Sequence, residues 1–228
     1  MPTELIAVLD VDTEAEALTI VEACGPCEWF KIGAQLFTRC GPSVVKAVQD
    51  RGKKVFLDLK YHDIPNTVAS AAKAAADLGV GLFTVHASGG RPMIEAARRS
   101  VEGSGTRILA VTVLTSMDAG TLRDDIGIDE PPAKVVPRWA AMAVEAGAHG
   151  IVCSAQEIGA VRAAIGAGAL VVTPGIRPAW ASPDDQARIM TPQAAAKAGA
   201  SMIVVGRPIL KHPNPAEAVE KIIEELQA

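Results

Sequence analysis

Charged side chains interrupt a segment that otherwise has the composition of a buried β-strand. The segment reads K-V-F-L-D-L-K-Y-H-D-I-P-N-T over residues 54–67. Successive side chains of a strand alternate between its two faces, so Asp58 and Lys60 share one face with Phe56 and lie about 7 Å apart along the chain. In a closed barrel, that shared face can be the interior.

Burial of either charge alone would cost several kcal/mol, so Asp58 and Lys60 must pair with each other or with further charges. Lys31, at the end of an earlier strand, and Asp63, three residues beyond Lys60, are the candidate partners. A structural ion pair at the rim of a barrel is one interpretation of this pattern. A catalytic charge network is the other.

Single ionisable residues also stand at the ends of other predicted strands. Asp10 follows the first strand, Lys31 the second and His86 the fourth. The carboxyl ends of parallel barrel strands meet at one mouth, so these side chains would converge there. Packing of a core does not require such a ring, whereas binding of a polar substrate does.

The last two predicted strands are followed by features suited to a phosphate group. The eighth strand runs into Gly206 and Arg207, and the seventh leads to Arg177, with Gln186 further along the same loop. Barrels often bind phosphate in these two loops, where backbone N–H groups and a guanidinium can hold it. The alternative for Arg177 and Arg207 is an exposed arginine that makes only a surface contact.

Short β-branched apolar runs alternate with Ala-rich amphipathic segments along the whole chain, as in an α/β protein with a parallel sheet. Eight helices are predicted between and after these runs. The eight predicted strands are Leu5–Leu9, Trp29–Ile32, Lys54–Leu59, Leu82–His86, Ile108–Leu114, Gly150–Cys153, Leu170–Thr173 and Met202–Val205. Eight units in 228 residues favour a single-domain (β/α)₈ TIM barrel over residues 1–228. The rival is a doubly wound open sheet, but no G-x-G-x-x-G follows the first strand.

Composition excludes several classes of protein. The chain has 22 Lys and Arg against 26 Asp and Glu, a formal net charge of −4, which argues against general binding to nucleic acid or to anionic membranes. Its apolar runs are shorter than the roughly 20 residues of a membrane span, and its N-terminus does not resemble a secretory signal. Together with only four cysteines, these features lead us to expect a cytoplasmic protein.

The chain closely resembles the orotidine 5′-monophosphate decarboxylase family. Residues 58–67, D-L-K-Y-H-D-I-P-N-T, fit that family's D-x-K-x-x-D-I-x-x-T signature. Three later blocks match it in order and spacing: V-T-V-L-T-S at 111–116, T-P-G-I-R at 173–177 and V-G-R at 205–207. The resemblance implies a cofactor-independent, metal-free decarboxylase of pyrimidine biosynthesis that acts on a nucleotide.

The resemblance also implies roles for individual residues. Lys60 would be the proton donor in an alternating charge network with Lys31, Asp58 and Asp63. The enzyme would be a homodimer, and the residues expected to act at the neighbouring subunit's site are Asp63, Ile64 and Thr67. Those expected to bind the substrate's ribose and pyrimidine are Asp10, Lys31 and Thr115. Those expected to hold its phosphate are Gln186, Gly206 and Arg207, with Arg177 assisting.

Other interpretations remain open at the level of sequence. A metal-dependent sugar-phosphate lyase on the same barrel, a Schiff-base aldolase with Lys60 as nucleophile and a silent phosphate-binding barrel are the three rivals. Cys24-Gly-Pro-Cys27 spells a redox tetrapeptide, but it follows a predicted helix and precedes a strand, the reverse of the usual order. Two long polar loops, 116–132 and 177–191, are candidate lids.

Overall fold

The computed structural model describes residues 2–181 and 190–228. Eight parallel strands pair in chain order and close on one another, the first pairing with the eighth. They are β1 Glu4–Val8, β2 Trp29–Gly33, β3 Lys54–Tyr61, β4 Leu82–His86, β5 Arg107–Val111, β6 Gly150–Val152, β7 Leu170–Thr173 and β8 Met202–Val205. The predicted (β/α)₈ barrel is confirmed.

Helices lie between the strands and cover the outside of the barrel. They are α1 Glu14–Ala23, α2 Ala34–Cys40, α3 Ser43–Gln49, α4 Pro65–Asp77, α5 Gly90–Ser100, α6 Ala119–Asp124, α7 Pro132–Glu145, α8 Ile158–Ile165, α9 Pro192–Ala198, α10 Arg207–Leu210 and α11 Pro215–Gln227. Short 3₁₀ helices at Ala87–Gly89 and Ala155–Glu157 precede α5 and α8. Proline begins α4, α7, α9 and α11, where its missing N–H costs no hydrogen bond.

The described chain has more α-helices than the eight predicted, because the segments after β2, β5 and β8 are each divided in two. Between α2 and α3 the break falls at Gly41, whose φ of 67° lies in the left-handed region that favours glycine. The predicted fifth strand is too long: β5 ends at Val111 rather than Leu114. Its neighbour β6 ends at Val152, so the residues beyond Thr112 have no strand to pair with.

Alternation along the strands builds two apolar layers. One fills the barrel interior and includes Val8, Phe56 and Val204; the other lies between the strands and the helices and includes Leu57 and Phe83. The interior is packed at the N-terminal end of the strands, so polar side chains can occupy the C-terminal end. No helix in the described ranges is long and apolar enough to cross a membrane.

Candidate active site

Strand β3 is irregular where its charged residues begin. Its register against β4 shifts between Leu57 and Tyr61, so two extra residues of β3 are accommodated there. Lys60, within this bulge, has φ of 53° and is, among the described residues, the one non-glycine residue with positive φ. Such a conformation costs on the order of 1–2 kcal/mol, and its occurrence at a charged residue at a strand end is typical of functional sites.

The Lys60 ammonium is held against the Asp58 carboxylate. Nζ of Lys60 lies 2.7 Å from Oδ2 of Asp58. The Asp58 side chain is only 11% exposed and that of Lys60 is 35% exposed, so the pair is largely shielded but open on the lysine side. The predicted pairing of Asp58 with Lys60 is confirmed, but the regular alternation from which their shared face was predicted is interrupted by the bulge.

Thr84, on the neighbouring strand β4, connects the backbone of Lys60 to Asp58. Its fully buried hydroxyl accepts a hydrogen bond from the Lys60 amide at 2.9 Å and donates one to Oδ1 of Asp58 at 3.0 Å. Both oxygens of Asp58 therefore have partners. Thr84 was not among the residues predicted from the sequence. The pattern that could have indicated it is a hydroxyl residue on the same strand face as Leu82 and His86.

Lys31 extends the network across the mouth of the barrel. Its ammonium lies 3.2 Å from Oδ1 of Asp10 and 3.7 Å from Oδ2 of Asp58. A Cβ atom at Gly33 would lie 2.8 Å from this ammonium, so the glycine leaves the space that Lys31 occupies. The charges thus alternate in sign from Asp10 through Lys31 and Asp58 to Lys60, whereas the network implied by the resemblance included Asp63 and not Asp10.

Lys31, Asp58 and Lys60 form one wall of a cavity of about 200 Å³ at the C-terminal end of the barrel. The remaining lining is mostly apolar and includes Phe56, Val111 and Val204, with Thr115 at the side. An ammonium that faces an apolar cavity exerts a stronger field than one in water, because little solvent screens it. The cavity can therefore stabilise negative charge that develops beside Lys60.

The segment predicted to act at a neighbouring subunit's site lies at the surface of this chain. Ile64 is 67% exposed, and Asp63 and Thr67 are exposed as well. The Asp63 carboxylate accepts a hydrogen bond from the Ile64 amide at 2.6 Å. Within the described chain it forms no ion pair with Lys60, so a single subunit does not bring Asp63 into the network.

The residues predicted to hold phosphate lie in different environments, and one of them is outside the described part of the chain. Half-buried Arg207 opens α10 after Gly206 and lines a cavity of about 210 Å³ that is separate from the one at Lys60. Arg177 is only 6% exposed, and its Nη1 donates to the carbonyl oxygen of Ile176 at 3.0 Å. It is therefore no exposed surface arginine. Gln186 lies outside the described residues.

A histidine pair stands beside the network. The rings of His62 and His86 are 5.7 Å apart, and the pKa of His86 is lowered, first by burial and then by the charges of His62 and Lys60. His86 therefore favours its neutral form. The sequence predicted its position at the mouth of the barrel but not its protonation state.

The cysteine pair does not have the properties of a redox site. Cys24 and Cys27 are buried and free, and burial raises the pKa of Cys24 to about 11 and that of Cys27 to about 12. A reactive cysteine needs a lowered pKa. Elsewhere in the described ranges, no group of three His, Cys, Asp or Glu side chains is arranged to hold a metal ion.

Fold and site together are those of an enzyme built on a (β/α)₈ barrel, with a shielded lysine–aspartate network at the carboxyl ends of its strands. Comparison with known proteins identifies the family. The model of the "Orotidine 5′-phosphate decarboxylase / HUMPS family" matches residues 3–222, and the chain belongs to this family.

Relatives of similar length support the assignment. The chain is 49% identical to orotidine 5′-phosphate decarboxylase of Heliobacterium modesticaldum, over 97% of this chain and 95% of that protein. It is 52% identical to the protein of that name from Anaeromyxobacter sp., over 97% of both. Among solved structures, orotidine 5′-phosphate decarboxylase from Lactobacillus acidophilus superposes with a TM-score of 0.89 at 40% identity, covering 99% of this chain and 100% of that one. The predicted family is confirmed.

Proposed function

We propose that this protein decarboxylates orotidine 5′-monophosphate to uridine 5′-monophosphate and CO₂ in pyrimidine biosynthesis, without a cofactor or metal, and that Lys60 supplies the proton. Membership of the family supports the reaction. The observation that carries the mechanism is the 2.7 Å contact between the Lys60 ammonium and Asp58 at the edge of an apolar cavity. This contact supports the proposal, because it would hold a cation beside carbon 6 of a bound pyrimidine.

The chemical difficulty lies in the carbanion. When the bond between carbon 6 of the pyrimidine and its carboxylate breaks, the electron pair stays on carbon 6, in the ring plane and out of conjugation with the carbonyl groups. A fixed ammonium beside carbon 6 stabilises that charge without reorganising. Lys60 then transfers a proton to carbon 6, becomes a neutral amine, and regains a proton from water before the next turnover.

Asp58 has two roles in this proposal. It orients the Lys60 ammonium, and it places negative charge near the substrate carboxylate, which disfavours the bound ground state. We rank orientation first, because Thr84 and Lys31 hold Asp58 in place before substrate binds. Repulsion of the substrate would have to be offset by binding energy from elsewhere on the nucleotide.

The rest of the nucleotide would be held by groups around the mouth. Asp10 and Lys31, which lie 3.2 Å apart, would bind ribose hydroxyls, and exposed Thr115 lines the cavity where the pyrimidine would lie. Gly206 and Arg207 are proposed to bind the phosphate. The additional residues proposed to support the phosphate are Arg177 and Gln186.

We further propose a homodimer in which Asp63, Ile64 and Thr67 complete the partner's site. An isoleucine that is 67% exposed beside an active-site mouth favours burial by a second subunit. Asp63 would then add a carboxylate to the partner's Lys60. This arrangement would extend the alternating charges by one more member.

We also propose that residues 1–228 form one catalytic domain in the cytoplasm. All eight strands contribute to the same barrel, which supports a single folding unit. The four cysteines are free, a state typical of a reducing compartment.

One assay tests the proposed reaction. The protein is mixed with orotidine 5′-monophosphate in excess EDTA, and loss of the orotate absorbance is followed with time. We expect full turnover in the chelator. No loss of absorbance, or turnover restored only by added Mg²⁺, would favour a metal-dependent lyase or a binding barrel instead. Borohydride in the presence of substrate should leave no adduct on Lys60; a trapped adduct would indicate a Schiff-base aldolase.

A further inference from the structure

The N-terminal ends of the strands, opposite the candidate active site, surround a further cavity of about 390 Å³. Three cationic side chains line it: Lys53, Lys54 and Arg107. Among the described residues, no carboxylate belongs to its lining. The lining itself thus carries three positive charges, with the carboxylates of Glu28 and Glu4 near Lys54.

The three cations differ in the number of hydrogen bonds and ion pairs that they already make within the protein. Lys53 donates to the carbonyl oxygens of Gly25 and Cys27 at 2.7 and 2.9 Å. Lys54 lies 2.8 Å from the Glu28 carboxylate, which occupies one of its three N–H donors. Half-buried Arg107 has no side-chain hydrogen bond and no ion pair within the described part of the chain. Its five N–H donors are therefore open to a ligand.

The surroundings of Arg107 add positive charge. Arg98 packs its side chain against Gly147, where a Cβ atom would lie 3.0 Å from its Cγ. Both Arg98 and Arg107 lie near enough to His149 to disfavour its protonated form. Arg98 thus adds positive charge on the His149 side of Arg107, although it does not line the cavity itself.

The spacing of the cavity walls indicates an elongated anion. Lys54 begins β3 and Arg107 begins β5, and the two strands are separated by β4. Neighbouring strands are about 4.8 Å apart, so the two positions lie about 10 Å apart across the sheet. Gly81, just before β4, leaves room for the Trp29 ring, which also lines the cavity. A Cβ atom there would lie 2.6 Å from the Trp29 ring, which is 5% exposed and hydrogen-bonded to Glu4.

We propose that this cavity binds a small polyanion of two or more linked phosphate groups, clamped by Arg107 at one end and by Lys54 at the other. A guanidinium can hold one phosphate through two parallel hydrogen bonds, and an ammonium meets the next as a point charge. The separation of the two strand positions favours linked phosphates over a single phosphate. The shared chemistry is that of inorganic polyphosphate and of a nucleoside triphosphate, and the site is at the opposite end of the barrel from Lys60.

Calorimetric titration with inorganic tripolyphosphate tests this proposal. The titration is done at low ionic strength in the Arg207→Ala variant, which removes the cation proposed to bind phosphate at the other end of the barrel. In that background we expect Arg107→Gln to weaken binding about tenfold or more, the loss of at least one charge-assisted hydrogen bond. Arg99→Gln, on the solvent face of α5, changes the net charge equally and should leave the affinity unchanged.

Lys54→Gln gives a second, independent variant should Arg107→Gln fold poorly, and a loss of about three- to tenfold is expected from it. A parallel titration with ATP separates the two sources. Tighter binding of ATP than of tripolyphosphate assigns the site to a nucleotide, and equal binding assigns it to inorganic polyphosphate. Absence of binding in the Arg207→Ala protein, or equal affinities of the Arg107→Gln and Arg99→Gln proteins, would overturn the proposal.

Discussion

The buried hydroxyl of Thr84 donates a hydrogen bond to Oδ1 of Asp58 at 3.0 Å while it accepts one from the Lys60 amide at 2.9 Å. One side chain thus fixes both the Asp58 carboxylate and the strained backbone of Lys60. Thr84 makes no contact with the ammonium that would act on substrate, so we regard it as a positioning residue.

Thr84→Val should lower kcat by about tenfold to a hundredfold, since a buried carboxylate oxygen that loses its partner costs about 1–3 kcal/mol. KM should change much less, because Thr84 would not touch the nucleotide. Thr84→Ser keeps the hydroxyl and is expected to recover most of the rate. Steady-state kinetics of both variants check this; equal losses in the two would show that shape, rather than the hydrogen bond, matters at Thr84.

Removal of the proposed proton donor should abolish nearly all activity. Lys60→Ala is expected to lower kcat by at least about 10⁵-fold, because it removes both general-acid and electrostatic catalysis. Lys73→Ala, at an exposed lysine on α4, is the matched control and should have wild-type activity. Retention of substantial turnover by Lys60→Ala, in a preparation shown to be free of the wild-type enzyme, would remove Lys60 from the mechanism.

The positive φ of residue 60 should also affect the free energy of unfolding. With φ of 53°, residue 60 lies in a region that glycine adopts at little cost and alanine does not. We therefore expect Lys60→Gly to be more stable than Lys60→Ala by about 1 kcal/mol. Urea unfolding of the two variants measures the difference. Equal free energies of unfolding would mean that the backbone relaxes once the lysine is gone.

Strand β3 shows how far sequence reasoning reaches in this chain. Apolar periodicity located all eight strands within a few residues, because a barrel strand must present alternate faces to two apolar layers. The bulge at Lys60 was not predicted. No glycine marks it, and the register shift depends on how β3 pairs with β4, which local periodicity does not report. Thr84 was missed for the same reason, since its role exists only across that pairing.

Arg207 should contribute to catalysis as well as to binding if phosphate holds the nucleotide in place. Arg207→Ala is expected to lower kcat/KM for orotidine 5′-monophosphate by about 10- to 100-fold, through loss of a charge-assisted hydrogen bond. The variant should act on phosphate-free orotidine as well as the wild-type protein does. If kcat/KM for the intact nucleotide stays within about threefold of wild type, the phosphate is bound elsewhere.

His149 should make stability depend on pH. Burial, followed by the charges of Arg98 and Arg107, lowers its pKa below the ordinary value of 6.5. The unfolded chain therefore binds more protons at this residue, and the free energy of unfolding should fall as pH drops from about 7 through 6.5 toward the folded-state value. Urea unfolding at pH 7.5 and 5.5 should show a smaller decrease in His149→Gln than in wild type. An identical decrease would assign the dependence to other groups.

Asp63 is exposed, and a single subunit leaves it outside the charge network. If Asp63 completes the partner's site, Lys60→Ala and Asp63→Ala homodimers should each be severely impaired. Co-refolding equal amounts gives half heterodimers, each with one intact site, so activity should recover to about a quarter of wild type. Lys60→Ala mixed with Asp58→Ala is the control: these two residues share one site, and no heterodimer would contain an intact one. Recovery in the control, or none in the first mixture although pull-down through a tag on one variant shows heterodimers, would place Asp63 outside the neighbouring site.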